Sequence, residues 1–247
     1  MKQELDKNAE VISGMFDSIA GKYDAINHGM SLGIDKRWRR RFVRRLAKPL
    51  AGAPALAPGA SVLDLACGTG DLTRALARRG YAVTGLDISA EMMEIGRKKC
   101  AGLSPRPAFL LGSAEQIPFP DGSFDAVTIA FGLRNFDHRP QCLAEIRRVL
   151  KPGGRLAVLE FAVPKNRIWR ALYLFYFKNA MRMVGRAVGS GGAYGYLVDS
   201  VLSFPRYEAL CAEFTAAGFT AACHTAFSGG IACAYWASNG SPKGISL

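Results

Sequence analysis

The chain has 247 residues, 49% of them apolar, a length and composition that suit one large α/β domain with additions and a sizeable core. Six cysteines without a Cys-x-x-Cys pair and three scattered histidines exclude a disulfide framework and a zinc site, so reduced thiols and no metal are expected. The formal net charge of +12 directs attention to anionic partners, while the lack of a signal-type apolar run at the N-terminus and the Arg170, Lys178, Arg182 and Arg186 interruptions in 168–188 argue against export and against a membrane span.

In chain order, residues 1–60 read as helical and basic, ending in an Ala/Pro/Gly-rich link at 49–60. Lys36, Arg37, Arg39, Arg40, Arg41, Arg44, Arg45 and Lys48 alternate there with Trp38, Phe42, Val43 and Leu46. Such a helix suits a solvated face covering the domain, an anionic lipid surface or nucleic acid, and charge patterning alone does not choose among them. Strand patterns follow at 61–66, 82–87, 108–112, 126–131 and 155–161, alternating with helical patterns at 71–79, 90–100 and 140–150. This alternation predicts a parallel sheet covered on both faces. Lys151-Pro152-Gly153-Gly154 ends the last of these helices and turns into the fifth strand. Beyond it the sequence predicts an amphipathic helix over 168–188, a Gly-rich loop over 189–195, a helix near 207–217 and two terminal strands.

The first strand runs into Leu63-Asp64-Leu65-Ala66-Cys67-Gly68-Thr69-Gly70, and the second ends at Asp87. Gly68 and Gly70 remove side chains where backbone must approach a ligand, and a carboxylate at 87 can accept from two ribose hydroxyls. Right-handed crossovers bring both to the carboxyl edge of the sheet. A dinucleotide fingerprint places a third glycine where Thr73 stands, beside a pyrophosphate that Asp64 would repel. S-adenosylmethionine has no phosphate and carries an ammonium and a sulfonium, so Asp64 suits it and it is the expected cofactor. Cys67, inside the turn, reads as a small side chain that fits.

Several stretches together resemble the bacterial ubiquinone/menaquinone biosynthesis C-methyltransferases. They are 15–40 with its Tyr23-Asp24 to Asn27 element, the glycine turn, 114–136 with Phe131-Gly132-Leu133-Arg134-Asn135, and 148–161. The resemblance implies a class I S-adenosylmethionine-dependent methyltransferase, α/β, with a mostly parallel seven-stranded sheet, a C-terminal antiparallel pair and a helical N-terminal cap. Residues 1–60 would be the cap or lid, and 61–247 the Rossmann-like domain with a helical insertion at about 165–200. It implies methyl transfer to a ring carbon of a reduced, prenylated quinone precursor, demethylmenaquinol or the ubiquinone benzoquinol, with S-adenosylhomocysteine as product. Cofactor contacts are expected from Asp64, Gly68, Thr69, Gly70, Asp87, Ile88, Met92, Ser113, Ala114 and Ala130, the last lacking the hydroxyl that the family can carry there. The amide of Ala114 or Glu115 would lie beside the adenine.

Carbon methylation needs an electron-rich carbon in line with the methyl, so positioning and electrostatics dominate. Arg134 is expected to stabilise the phenolate, Tyr23 and Asn27 to close over the ring, and Asn135 to share the site, with Asp137 and His138 as nearby proton acceptors or helix-start caps. Along 168–188, Leu172, Phe175, Met181 and Met183 would line an apolar groove for the prenyl tail, and the basic residues there and in the N-terminal helix would contact an anionic membrane. A cytoplasmic protein working at the inner face of the membrane, with no nucleic-acid partner and with homo-oligomers allowed, completes the expectation. No base-flipping element or aromatic single-strand platform is present to support an RNA substrate.

Overall fold

The computed structural model describes residues 8–50, 53–188 and 191–240, apart from the side chains of 9, 26, 30 and 181–194. The strand patterns become β1 (Ser61–Leu65), β2 (Ala82–Asp87), β3 (Ala108–Leu111), β4 (Phe124–Ala130), β5 (Leu150–Phe161), β6 (Thr220–Phe227) and β7 (Ala232–Ser238). They form one sheet in the order β3-β2-β1-β4-β5-β7-β6, parallel through β5, with β7 antiparallel to β5 and to β6. This is the mixed seven-stranded arrangement expected from the sequence. Its strand order reverses between β1 and β4, where Leu65 pairs with Ile129, and a crevice opens at that switch point.

Period-two alternation buries both faces. Leu63, Leu65, Val127, Ile129, Leu156, Val158 and Tyr235 meet α5 (Arg139–Val149) and α8 (Glu208–Ala216) on one side. Val62, Ala126, Ala157, Leu159 and Trp236 meet α2 (Ile34–Leu46) and α3 (Asp71–Ala77) on the other. The apolar residues of the basic α2 therefore belong to the core: Phe42 stacks on Trp236 with ring centroids 5.0 Å apart. Buried Arg155 donates to the carbonyls of Leu46 and Lys48 at 2.7 and 2.8 Å, closing the end of α2. In contrast, α1 (Ala9–Met30) lies outside the sheet against α4 (Ala90–Cys100), where Ile19 and Ala20 pack on Met92.

Two local expectations change. The Gly-rich loop is helical from Gly191, the start of α7 (Gly191–Ser203). Glycines cost a helix only about 1 kcal/mol each, which the packing of α7 on α6 (Arg167–Val188) offsets. Leu172 and Phe175 are exposed on α6 and border neither cavity at the strand ends, whereas Tyr173 and Phe177 are buried. Met181 and Met183, with Arg182 and Arg186, fall among the side chains outside those described. No described helix is long and apolar enough to cross a membrane.

Candidate active site

Beyond β1 the chain turns sharply through Ala66 (φ 51°), Gly68 (φ 51°) and Gly70 (φ 76°) before α3 begins. A Cβ on Gly70 would lie 3.1 Å from the Cα of Gly96, so this glycine lets α3 and α4 approach behind the turn. From the end of β2, Asp87 holds the turn: its Oδ2 accepts from the Gly68 amide at 2.7 Å and its Oδ1 from the Ser89 amide at 2.9 Å. Burial pushes the Asp87 carboxyl up, and these two bonds offset part of that rise. Each oxygen keeps acceptor capacity for a ribose hydroxyl. β4 ends the same way, with Phe131 at φ 60°, and a Cβ on Gly132 would sit 2.5 Å from that of Ala66. Left-handed backbone at two non-glycine residues costs about 1 kcal/mol each.

Asp64 stands one residue pair deeper, level with Thr128 of β4. Its carboxylate accepts from Thr73 at 2.6 Å and from Thr128 at 2.9 Å. Thr73 thus occupies the position of a third glycine in order to serve Asp64. Burial dominates and raises the Asp64 carboxyl to about 7.

Two cavities meet at the strand ends. One, a cleft of about 800 Å³ counted with the solvent space at its open mouth, is lined by Asp87, Ile88, Met92, Ser113, Ala114 and Asn135. The other, of about 1030 Å³ counted the same way, is lined by Asn27, Asp64, Thr69 and Arg134 among apolar walls. Phe16, Tyr23, Ala66, Gly68, Ala130 and Phe131 border both, so the two adjoin. All of the expected site residues border this space except Gly70, which acts from behind. The Glu115 amide donates to Ser113 Oγ at 3.1 Å and is thereby engaged. His138 is two-thirds exposed beside Glu115 and caps no amide with its side chain, while Asp137 reaches the rim of the smaller cavity.

Arg134 is buried. Its Nη1 donates to Glu160 Oε1 at 2.8 Å and to the Phe131 carbonyl, and its guanidinium lies 5.5 Å from the centre of the Phe161 ring. Glu160, wholly buried on β5, also accepts from the Arg134 amide at 3.2 Å. The buried Arg134 Nε has no hydrogen-bond partner among the described residues. Burial raises the Tyr23 phenol, with Arg134 acting against the rise, and it pushes Tyr196 up to about 12. Both therefore remain hydroxyl donors at neutral pH, and Tyr196 donates to Asn135 Oδ1 at 3.3 Å.

The Thr69 hydroxyl is already engaged, donating to Asp24 at 2.6 Å and accepting from Lys99 at 3.0 Å, so only its backbone is left for a cofactor. Lys99 also binds Asp24 and, at 2.9 Å, Asp71, while His28 bridges Asp35 at 2.7 Å and Asp71 at 3.4 Å. Asp24, His28 and Asp71 have metal-like spacing, but Lys99 and Arg39 already neutralise that cluster. The network ties α1 and α2 to α3 and α4 beneath the larger cavity. It was not legible as a site because its members lie on four separate helices. The inner face of α1 carried a readable signal: Ile12, Phe16, Ile19, Tyr23 and Asn27 recur at helical spacing and line the two cavities.

The site's parts suit S-adenosylmethionine: a carboxylate for ribose, a turn with glycines at 68 and 70, an apolar adenine wall and a second carboxylate able to meet an ammonium. Residues 2–239 match the model of the ubiE/COQ5 methyltransferase family. The chain is 42% identical over 242 residues to the ubiquinone/menaquinone biosynthesis C-methyltransferase UbiE of Geobacter sulfurreducens, covering 96% of this chain and 91% of that one. It is 46% identical over 209 residues to the demethylmenaquinone methyltransferase of Thermus thermophilus, covering 83% and 91%. Among solved structures, an S-adenosylmethionine-dependent methyltransferase from Thermotoga maritima superposes with a TM-score of 0.64 at 18% identity, over 92% of this chain and 99% of that one, a likeness of fold alone. The fold, the built turn and the match along nearly the whole length agree: the chain belongs to the ubiE/COQ5 methyltransferase family.

Proposed function

We propose that the chain transfers a methyl group from S-adenosylmethionine to a ring carbon of a reduced, prenylated quinone precursor, converting demethylmenaquinol to menaquinol and accepting the ubiquinone benzoquinol as a second ring. The observation that carries this reading is the adjacency of the two cavities, which share six lining residues. The smaller one suits the cofactor, and beside it lies a larger space walled by Phe16, Ile19, Leu72, Phe131, Phe161 and Leu197, with Tyr23, Asn27 and Arg134 on its polar side. A flat apolar ring bearing hydroxyls has that chemistry. The names of the relatives support the same substrate class.

Bound S-adenosylmethionine supplies a methyl on a cationic sulfur, an electrophile that needs no activation by metal. In this reading Asp87 receives the ribose, Ile88 and Met92 wall the adenine, Ser113 and Ala114 meet its edge, Ala130 floors the crevice, and Asp64 faces the ammonium. Arg134 stabilises a ring oxygen as it becomes phenolate and holds the water that takes its proton, and the hydrogen displaced from the methylated ring carbon leaves as a proton to water as the ring regains aromaticity. Tyr23 and Asn27 close over the ring from α1. A prenylated ring places the working enzyme at the cytoplasmic face of the membrane.

The test is transfer of an isotopically labelled methyl to chemically reduced 2-prenyl-1,4-naphthoquinone, with the prenyl-benzoquinol alongside, read by mass spectrometry. A labelled ring carbon on the naphthoquinol supports the menaquinone assignment. Label on the benzoquinol alone moves the assignment to ubiquinone. No label on either, from protein that binds S-adenosylmethionine, overturns the quinol reading in favour of another small-molecule or lipid acceptor.

A further inference from the structure

Over residues 168–177, one face of α6 is buried and the other is exposed. Tyr173 and Phe177, stacked at 5.4 Å, are buried with Val201 of α7 and with Phe161. Ile168, Trp169, Leu172, Phe175 and Tyr176 recur at i, i+1, i+4, i+7 and i+8 and are exposed, Ile168 and Phe175 by 76% and 74%. Five large apolar side chains in one stripe exceed the scattered exposure of an ordinary surface.

The position of this stripe identifies what covers it. Trp169 Nε1 donates to the Ser228 carbonyl at 3.3 Å, and Trp38 Nε1 of α2 donates to Ser228 Oγ at 2.9 Å, so the two helices meet at one residue. Because Trp38, Phe42, Val43 and Leu46 of α2 are buried, its exposed face from Lys36 onward is basic: Lys36, Arg37, Arg40, Arg41 and Arg44. Exposed Arg167, Arg170 and Lys178 flank the α6 stripe, and residues 167–180 contain no acidic side chain. A second copy placed on this stripe would oppose cation to cation, whereas an anionic bilayer complements both the apolar and the basic parts. On the inner side of the same helix pair, Tyr196 and Leu197 of α7 line the larger cavity.

We propose that the exposed face of α6 inserts into the interfacial layer of an anionic membrane, that α2 supplies the electrostatic attraction, and that the α6–α7 pair thereby sets the larger cavity against the bilayer. This deepens the quinol reading and rests on it only for the identity of what enters from the lipid; the surface argument is independent of it.

The test is co-sedimentation with vesicles of phosphatidylcholine alone and of phosphatidylcholine with phosphatidylglycerol, at low and at high salt. The wild type is compared with Ile168→Ser/Leu172→Ser/Phe175→Ser and with Arg37→Glu/Arg40→Glu/Arg44→Glu, each first shown to bind S-adenosylmethionine. The wild type is expected to bind the anionic vesicles, less so at high salt. Each variant should lose about tenfold or more in partitioning, and the glutamate variant should lose the salt dependence. Wild-type protein that binds no vesicles at low salt, or a serine variant that binds as well as wild type, overturns the proposal. A serine variant that converts a dimer to a monomer by light scattering also overturns it, in favour of a second copy on this face. Methyl transfer is not the readout, so failure here leaves the quinol assay to be decided separately.

Discussion

Asp64→Asn removes an ionisable group that the fold keeps at a cost. In the unfolded chain the carboxyl ionises near 3.8; in the folded protein, between Thr73 and Thr128, burial raises it to about 7. Between those two values the native state binds the additional proton, so this group makes stability fall as pH rises, and the loss is complete above about 7. At 1.36 kcal/mol per pH unit, the interval from pH 5 to 7 amounts to about 3 kcal/mol. Asparagine is nearly isosteric, and either threonine hydroxyl can rotate to serve it. Urea unfolding of both proteins at pH 5 and pH 8 should therefore show the wild type losing about 3 kcal/mol relative to the variant, and the comparison cancels every other titrating group. Parallel pH dependences would refute the reasoning, since they would mean that the carboxyl is not raised. If Asp64 also meets the ammonium of S-adenosylmethionine, titration calorimetry at pH 8 will show cofactor affinity weakened by about ten- to a hundredfold in the same, more stable, variant.

Arg134→Ala should lower stability by about 3–5 kcal/mol by chemical denaturation, because it leaves the wholly buried Glu160 without its cation. Arg134→Met with Glu160→Gln should regain much of that stability but no turnover, which separates the structural from the functional role. Tyr23→Phe removes a buried hydroxyl beside the larger cavity, so kcat for the quinol should fall by about a hundredfold while the cofactor Kd stays within a fewfold. Gly132→Ala would place a methyl 2.5 Å from that of Ala66, forcing the ends of β1 and β4 apart; a loss of about 2–3 kcal/mol by denaturation, together with weaker cofactor binding by calorimetry, is expected.

Legibility in the sequence followed the range of the interactions. The glycine turn and Asp87 were readable because their requirements, positive φ and a carboxylate at a strand end, act over a few residues and one crossover. The parallel strands were readable because burial on both faces demands continuous apolar runs. Helix formation at Gly191–Ser203 and the outward orientation of Leu172 and Phe175 were not, because both depend on how α6 and α7 pack against each other and on Phe161. The basic helix shows the same division. Its sequence left a solvated face, an anionic lipid surface and nucleic acid open, and burial of Trp38, Phe42, Val43 and Leu46 decided which face remains for any partner.

By itself, then, the sequence determined the sheet, the cofactor turn and the family, since each is encoded in local periodicity or in contiguous motifs. Only the tertiary structure decided that Arg134 is buried against Glu160, that Lys99 and His28 tie four helices together beneath the cavity, and that α6 meets α2 at Ser228. Those are contacts between residues distant in the chain, and their energy depends on a separation and a degree of burial that no single segment specifies.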